Sequence, residues 1–325
     1  MLYILSGTGQ VPFVKLGKDN VNSGIEKAYK LVEKCRLCPR KCGVSRLKGQ
    51  IGFCKAGILP MVSSFHAHFG EEPPISGRNG SGTIFFTHCS LRCVFCQNHP
   101  ISQLGQGKEV SVKELAGMML KLEAEGCHNI NFVTPTHYMP QILEAVFIAR
   151  EKGLNSPLVY NCGGYESIEA LEILDGVIDI YMPDMKYSDN APAKKYSNVS
   201  DYFEINKIAV KEMYTQTGDL KIEKGIARKG LLIRHLVLPE NLAGSQKIFE
   251  FIANELSRDT YVNIMAQYYS CHLANRFPEI DRRISVSEYM KAIRLAEKAG
   301  LKNGFRQVMS TIKRKRIPEW TNDFK

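Results

Sequence analysis

From Gly82 onward the chain alternates apolar runs of strand length with helix-period segments, and this alternation constrains its fold more than any other feature. Residues 83–87, 129–134, 157–162, 177–183, 231–238 and 261–266 read as strands, with helical patterns at 111–125, 139–152, 166–174, 202–214 and 244–256 between them. Strand and helix in repeated succession imply an α/β fold with parallel strands joined by crossovers. Six such units suit a partial (β/α)6 barrel better than a complete eight-unit barrel, and a doubly wound open sheet shares the same periodicity. The first 80 residues have a different texture, rich in Gly, Pro and short charged stretches, with one helical pattern at 23–33. The expected organisation is a cysteine-rich segment over 1–80, the barrel over 81–267 and a C-terminal helical extension over 268–325. A hydrophobic content of 44% is enough to fill the core of one large α/β domain.

Immediately after the first barrel strand lies Thr87-His88-Cys89-Ser90-Leu91-Arg92-Cys93-Val94-Phe95-Cys96-Gln97-Asn98. Its C-x3-C-x2-C spacing supplies three soft thiolates and no fourth. A structural zinc closes its tetrahedron with four protein ligands, whereas an iron–sulfur cluster can keep one iron open for substrate. The competing reading is a zinc knuckle completed by His88 or His99. A second group, Cys35-x2-Cys38-x3-Cys42-x11-Cys54, places four cysteines within twenty residues and reads as a closed four-thiolate site for a [4Fe-4S] cluster or zinc. Cys127 reads as a small buried hydrophobe, while Cys162 and Cys271 fall at expected strand ends. Either could reach the three-cysteine site, and Cys271, in Tyr269-Ser270-Cys271-His272, is the candidate catalytic residue.

Ten cysteines without a charged-then-apolar leader argue against a secreted disulfide protein, and the apolar start at Leu2, Tyr3, Ile4 and Leu5 is too short to span a bilayer. The reducing cytoplasm is the expected compartment, with no membrane partner. The formal charge of +10 would fall to about +7 with two cysteine-bound clusters in place. The densest basic run, Lys313-Arg314-Lys315-Arg316, lacks interleaved aromatic residues and reads as a solvated tail, so nucleic acid is not the expected partner.

The three-cysteine motif, with Phe95 just before its last cysteine, resembles the signature of the radical S-adenosylmethionine (SAM) superfamily. The resemblance implies a [4Fe-4S] cluster on Cys89, Cys93 and Cys96, SAM on its fourth iron and reductive cleavage of SAM to a 5′-deoxyadenosyl radical that takes hydrogen from a substrate. It also implies the partial-barrel architecture. Cys96-Gln97-Asn98, Gly70-Glu71-Glu72-Pro73-Pro74-Ile75-Ser76-Gly77 and the strand-end segments are most similar to the pyruvate formate-lyase activating enzyme branch, in particular relatives with an additional N-terminal four-cysteine motif.

On that resemblance, Asp184-x-Lys186 matches a D-x-K motif near the SAM carboxylate, Arg234 and His235 lie in the fifth-strand segment, and Gln267 lies beside the adenosyl rim. Thr136, His137 and Asn161 stand at further strand ends expected to meet the cofactor. Two departures are visible. Pro135-Thr136-His137 replaces a Gly-Gly-Glu that receives the SAM ammonium, and Asn161 replaces an aspartate used for a cation beside SAM. A low-potential electron donor such as flavodoxin or ferredoxin is implied, with a protein or peptide as substrate. The alternatives are a small metabolite, nucleoside or lipid as substrate, or a non-catalytic zinc-stapled nucleic-acid module. A second [4Fe-4S] cluster at Cys35, Cys38, Cys42 and Cys54 would relay the electron, whereas zinc there would serve folding.

Overall fold

The computed structural model describes residues 18–307, so the apolar start and the 313–316 basic run lie outside the described residues. Ten strands form one sheet: β1 Met61–His68, β2 Ser81–Phe86, β3 Lys108–Glu109, β4 Ile130–Val133, β5 Leu158–Cys162, β6 Ile180–Pro183, β7 Lys221–Glu223, β8 Ile226–Leu236, β9 Tyr261–Met265 and β10 Gly304–Arg306. Their order is β10-β9-β8-β6-β5-β4-β2-β1-β3, with β7 folded back on β8. The six strands expected from the sequence, β2, β4, β5, β6, β8 and β9, are parallel and neighbour one another in chain order.

That monotonic order separates the two architectures left open by periodicity. A doubly wound sheet reverses its strand order at a switch point, and this sheet has no reversal among its parallel strands. Same-handed crossovers between successive neighbours put the helices on one face and leave the other face to curve around an interior, as in a barrel that has not closed. Every residue of β2, β4, β5 and β6 is buried, as strands of a parallel sheet covered on both faces require.

The helices are α1 Lys18–Glu33, α2 Pro73–Ser76, α3 His99–Ser102, α4 Val112–Ala124, α5 Met139–Glu151, α6 Ile168–Ile173, α7 Asn190–Ser197, α8 Tyr202–Thr217, α9 Ser245–Phe251 and α10 Val286–Ala299. Ser111 and Ser285 start α4 and α10 with capping boxes closed by Glu114 and Glu288. Beyond α9 the chain continues as a π-turn, Ile252–Leu256.

Strand pairing runs across the expected divisions after residues 80 and 267. β1 pairs antiparallel with β2, and β3 pairs with β1, so the first segment adds an edge to the sheet. At the other edge α10 packs on α9, and β10 continues the parallel pattern beside β9. α1 packs against both α5 and α6 in the helical layer, burying Ala28, Leu31 and Val32. Its Tyr29 hydroxyl donates to Glu144 Oε2 at 2.5 Å.

Candidate functional site

Parallel strands deliver their C-terminal ends to one side of the sheet, and here those ends surround a cavity of about 550 Å³. Cys89, Cys93 and Cys96 all line it. They belong to the loop between β2 and α3, which is gripped by its backbone: Val94 N donates to Tyr196 O at 2.8 Å, Leu273 N to Val94 O at 2.8 Å, and Gln103 Nε2 to Cys93 O at 2.8 Å. Phe95 points away from the cavity into packing with Tyr268 and Tyr187, at centroid distances of 5.6 and 6.5 Å.

Each of the three sulfurs has a hydrogen-bond partner. Leu91 N donates to Cys89 Sγ at 3.3 Å, Ser197 Oγ donates to Cys93 Sγ at 2.9 Å, and Ser102 Oγ lies 3.1 Å from Cys96 Sγ. Because Ser197 spends its one hydroxyl proton on Cys93, the Tyr187 hydroxyl 2.7 Å away must donate to Ser197. Donors aimed at sulfur stabilise thiolate and tune the potential of a cluster that it holds. Burial, followed by repulsion from Cys93, pushes the Cys96 thiol up to about 11, and the same two causes drive Cys89 higher still. Thiols raised in this way ionise only with a compensating positive charge, which a bound cluster's iron would provide.

A single zinc ion at about 2.3 Å from each thiolate would draw the sulfurs to within about 3.8 Å of one another. Among the described residues, no group of three or more His, Cys, Asp or Glu side chains converges to hold one metal ion. His99 instead stacks on His272 at 4.5 Å, and His88 packs beside Gly105. Neither His88 nor His99 is among the residues that line the cavity with the three cysteines.

A buried charged chain lines the same cavity. Asp184 Oδ2 meets Lys186 Nζ at 2.5 Å, Asp184 Oδ1 accepts from Arg234 Nε at 2.9 Å, and Arg234 Nη1 lies 3.7 Å from Glu71 Oε2. Glu71 Oε1 also accepts from Asn131 Nδ2 at 3.0 Å and Asn161 Nδ2 at 3.4 Å. Burial works to raise the Asp184 carboxyl, but the Arg234 and Lys186 cations outweigh it and hold the group below its ordinary value. Lys186 is likewise opposed by burial, yet Asp184 and Cys93 raise it overall. Glu72 is pushed up by burial, with Arg234 opposing. Its Oε1 accepts from Asn263 Nδ2 at 2.7 Å, while Glu72 Oε2 and Asn263 Oδ1 are buried without a partner. Such orphaned acceptors are the mark of a site built for a donor-bearing ligand.

Asn161, Asp184, Lys186, Arg234 and Gln267 line the cavity with the three cysteines. Phe95, Thr136, His137, His235 and Cys271 do not. Thr136 Oγ1 donates to Glu166 Oε1 at 2.7 Å, a buried hydrogen bond. His137 is buried with Nε2 2.7 Å from Thr87 O, and burial lowers it to about 3. His235 is a core histidine bridging Met185 O at 2.8 Å and Ser245 Oγ at 2.9 Å, lowered by burial to about 4. The Cys271 thiol donates to Phe95 O at 3.2 Å, whereas Cys162 reaches the cavity. Glu71, Glu72, Asn263, Ser102 and Ser197 were not assigned a role from the sequence. The Gly70-Glu71-Glu72 segment was visible there, but nothing local tied it to the strand ends.

The second cysteine group follows α1. Cys35 and Cys38 are buried, Cys54 is half-buried and Cys42 is exposed. Cys35 N donates to Val44 O at 2.8 Å and Gly43 N to Cys35 O at 2.9 Å, folding the segment back on itself. Gly52 approaches so closely that a Cβ there would lie 2.5 Å from Cys42 Sγ. Burial pushes Cys38 up to about 12 and also raises Cys35 and Cys54. Arg40 ties this segment to the first loop: Nε donates to Ser90 O at 2.6 Å and Nη2 to Asn198 O at 2.9 Å. Its guanidinium lies 3.4 Å from the Phe53 ring centroid, with Arg92 5.2 Å from the same ring. Arg46 is fully buried and donates to Gly57 O and, at 2.6 Å, to His137 O.

Comparison with known proteins gives a family and distant structural likenesses. The Radical SAM superfamily model matches residues 83–251. An uncharacterized protein of Methanocaldococcus jannaschii is 33% identical over 290 residues, covering 85% of this chain and 78% of that protein. Streptococcus suis SuiB, solved with its precursor peptide SuiA, aligns over 68% of this chain at 11% identity and a TM-score of 0.47, and the chain spans only 46% of SuiB. Methylornithine synthase aligns over 95% of this chain and 85% of its own, at 12% identity and a TM-score of 0.44.

Proposed function

Because the chain belongs to the radical SAM superfamily, we propose that Cys89, Cys93 and Cys96 hold the family's [4Fe-4S] cluster, and that the protein abstracts hydrogen from a polypeptide as the pyruvate formate-lyase activating enzyme branch does. The carrying observation is that the three sulfurs, each with its own hydrogen-bond partner, face the same cavity as the Asp184–Lys186–Arg234 chain. When bound, cluster and SAM supply a 5′-deoxyadenosyl radical by one-electron cleavage of the sulfonium.

The chain's own residues bind, orient and exclude water. Lys186 and Arg234 offer cationic donors for the SAM carboxylate, with Asp184 fixing both. Glu72 and Asn263 offer acceptors for an ammonium group, the role left open where Pro135-Thr136-His137 stands. Asn161 and Gln267 supply polar contacts from the same wall. Phe85, Leu91, Val133 and Met265 give the cavity the apolar surface that keeps a radical from water. The polypeptide reading draws support from the open sheet, whose edges at β3 and β10 leave the barrel wall incomplete. We assign a second [4Fe-4S] cluster to Cys35, Cys38, Cys42 and Cys54, on the strength of their placement against the first loop through Arg40.

Anaerobic reconstitution tests this. The expected protein is brown, binds about seven to eight irons and forms 5′-deoxyadenosine from SAM with a strong reductant. Cys93→Ala should abolish cleavage, while His88→Ala and His99→Ala keep the cluster; full activity in Cys93→Ala would overturn the assignment. A variant lacking Cys35, Cys38, Cys42 and Cys54 should keep a SAM-responsive paramagnetic signal. For the substrate, a deuterated extract is split into macromolecular and small-molecule fractions. Label reaching 5′-deoxyadenosine only from the small-molecule fraction would refute the polypeptide reading.

A further inference from the structure

Between Lys34 and Lys55 the chain carries seven Lys and Arg residues and no Asp or Glu. Three of the seven are engaged: Arg36 pairs with Glu169 at 2.8 Å, and Arg40 and Arg46 spend their guanidinium groups on backbone carbonyls. Lys34, Lys41, Lys48 and Lys55 are exposed, and among the described residues none of them has an ion-pair partner. The same segment carries two exposed aliphatic side chains, Leu47 at 47% and Ile51 at 57%, and the exposed Cys42. The loop is compact, because Gln50 N donates to Ser45 O and the Gln50 side chain accepts from Ser45 N at 2.7 Å. Gly52, next to Ile51 in the chain, lies against Cys42 Sγ. Exposed apolar side chains interspersed in one short segment with exposed cations of one sign are what a protein-docking surface for an acidic partner presents.

The inner side of this segment touches the catalytic loop, since Arg40, next to Lys41, donates to Ser90 between Cys89 and Cys93. We infer that the Lys41–Lys48–Lys55 face docks a small acidic one-electron carrier protein and is where reducing equivalents enter the molecule. This rests on the reading of the protein as a reductively triggered enzyme. In the docked encounter the carrier is oxidised by one electron and this protein is reduced by one; no bond is made or broken. A nucleic-acid strand fits the face less well. The segment's aromatic residue, Phe53, is already held between Arg40 and Arg92, so no ring is free to stack on a base.

The probe is an acidic flavodoxin, with the full-length reconstituted protein. Titration without SAM or reductant should show binding that weakens steeply with salt, because exposed charges are screened beyond about 10 Å at 0.1 M. Lys41→Glu/Lys48→Glu/Lys55→Glu should weaken it about tenfold or more and slow flavodoxin-driven SAM cleavage alike, leaving dithionite-driven cleavage unchanged. Zero-length cross-linking of the unaltered protein to flavodoxin should capture these lysines. Unchanged affinity in the triple variant, or cross-links confined to other faces, would overturn the assignment. So would single-stranded RNA binding this face more tightly than flavodoxin. Absence of dithionite-driven cleavage in the unaltered protein would instead count against the radical reading, and the binding titration and cross-links would still decide the docking face.

Discussion

Ser197→Ala isolates the hydrogen bond that the fold aims at Cys93. Ser197 ends α7, is fully buried, donates to Cys93 Sγ at 2.9 Å and accepts from the Tyr187 hydroxyl at 2.7 Å. A hydrogen bond to a charged group contributes about 1.5–3 kcal/mol, but only the part that strengthens when the cluster gains an electron moves its potential. Taking about 1 kcal/mol for that difference, a one-electron couple at 59 mV per tenfold shifts by about 40 mV. The sign is fixed by charge: the donor favours the more negative, reduced state, so its loss makes the midpoint more negative. The assay is an anaerobic redox titration of the reconstituted protein followed by paramagnetic resonance, with SAM absent. Tyr187→Phe, which leaves Ser197 in place but unheld, should move the midpoint the same way by less. The same Ser197→Ala variant leaves the Tyr187 hydroxyl buried without its acceptor, at a cost of about 1–3 kcal/mol on chemical denaturation. An unchanged or more positive midpoint, in a variant showing that loss of stability, would refute the view that this serine serves the cluster.

Glu166 should impose a pH dependence on stability. It is buried against Thr136 and Tyr160, and burial lifts its carboxyl from 4.5 to about 7 against those hydrogen bonds. A raised folded value means that the contribution is present below the unfolded value and lost as pH rises through the folded one, so stability should fall by about 3 kcal/mol between roughly pH 4.5 and 7. Glu166→Gln should flatten that slope in denaturant titrations, and an unaltered slope would remove Glu166 as its source. Asp184→Asn leaves Lys186 and Arg234 without the carboxylate between them, so stability should drop by about 3–5 kcal/mol and SAM affinity should fall; calorimetry reads both, and an unchanged melting temperature would argue against a coupled chain.

β2, β4, β5 and β6 were legible because every residue of each is buried, so each is written as a largely apolar run. β1 was not, for a reason that bears on function: its Met61–His68 sequence places Ser64, His66 and His68 on the cavity, and these polar residues interrupt the apolar pattern. β10 is three residues long, and α7 contains a proline, so neither carries a period. α10 did carry a signal, the Ser285-x-x-Glu288 box, which marks a helix start without reference to tertiary structure. Among site residues, position at a strand end identified which segments reach the cavity but not which side chains do. Arg234 and His235 are consecutive in β8, where side chains alternate between faces, so only one of them can face the cavity. Arg234 turns toward Asp184, and His235 must then enter the helical layer, where it meets Ser245 and Phe249. After β4 the backbone turns through a positive φ of 60° at Thr134, which keeps Thr134 on the cavity and sends Thr136 and His137 into the short turn below it. Ser102 and Ser197 reach their sulfurs by different routes. Ser102 is close in sequence to Cys96, while Ser197 is brought to Cys93 across 104 residues by the crossover after β6, a contact for which no local pattern exists. On the proposed reading, cysteine spacing marks where a cluster would bind, while the potential it would work at depends also on donors such as Ser197 that only the folded chain brings to the sulfur.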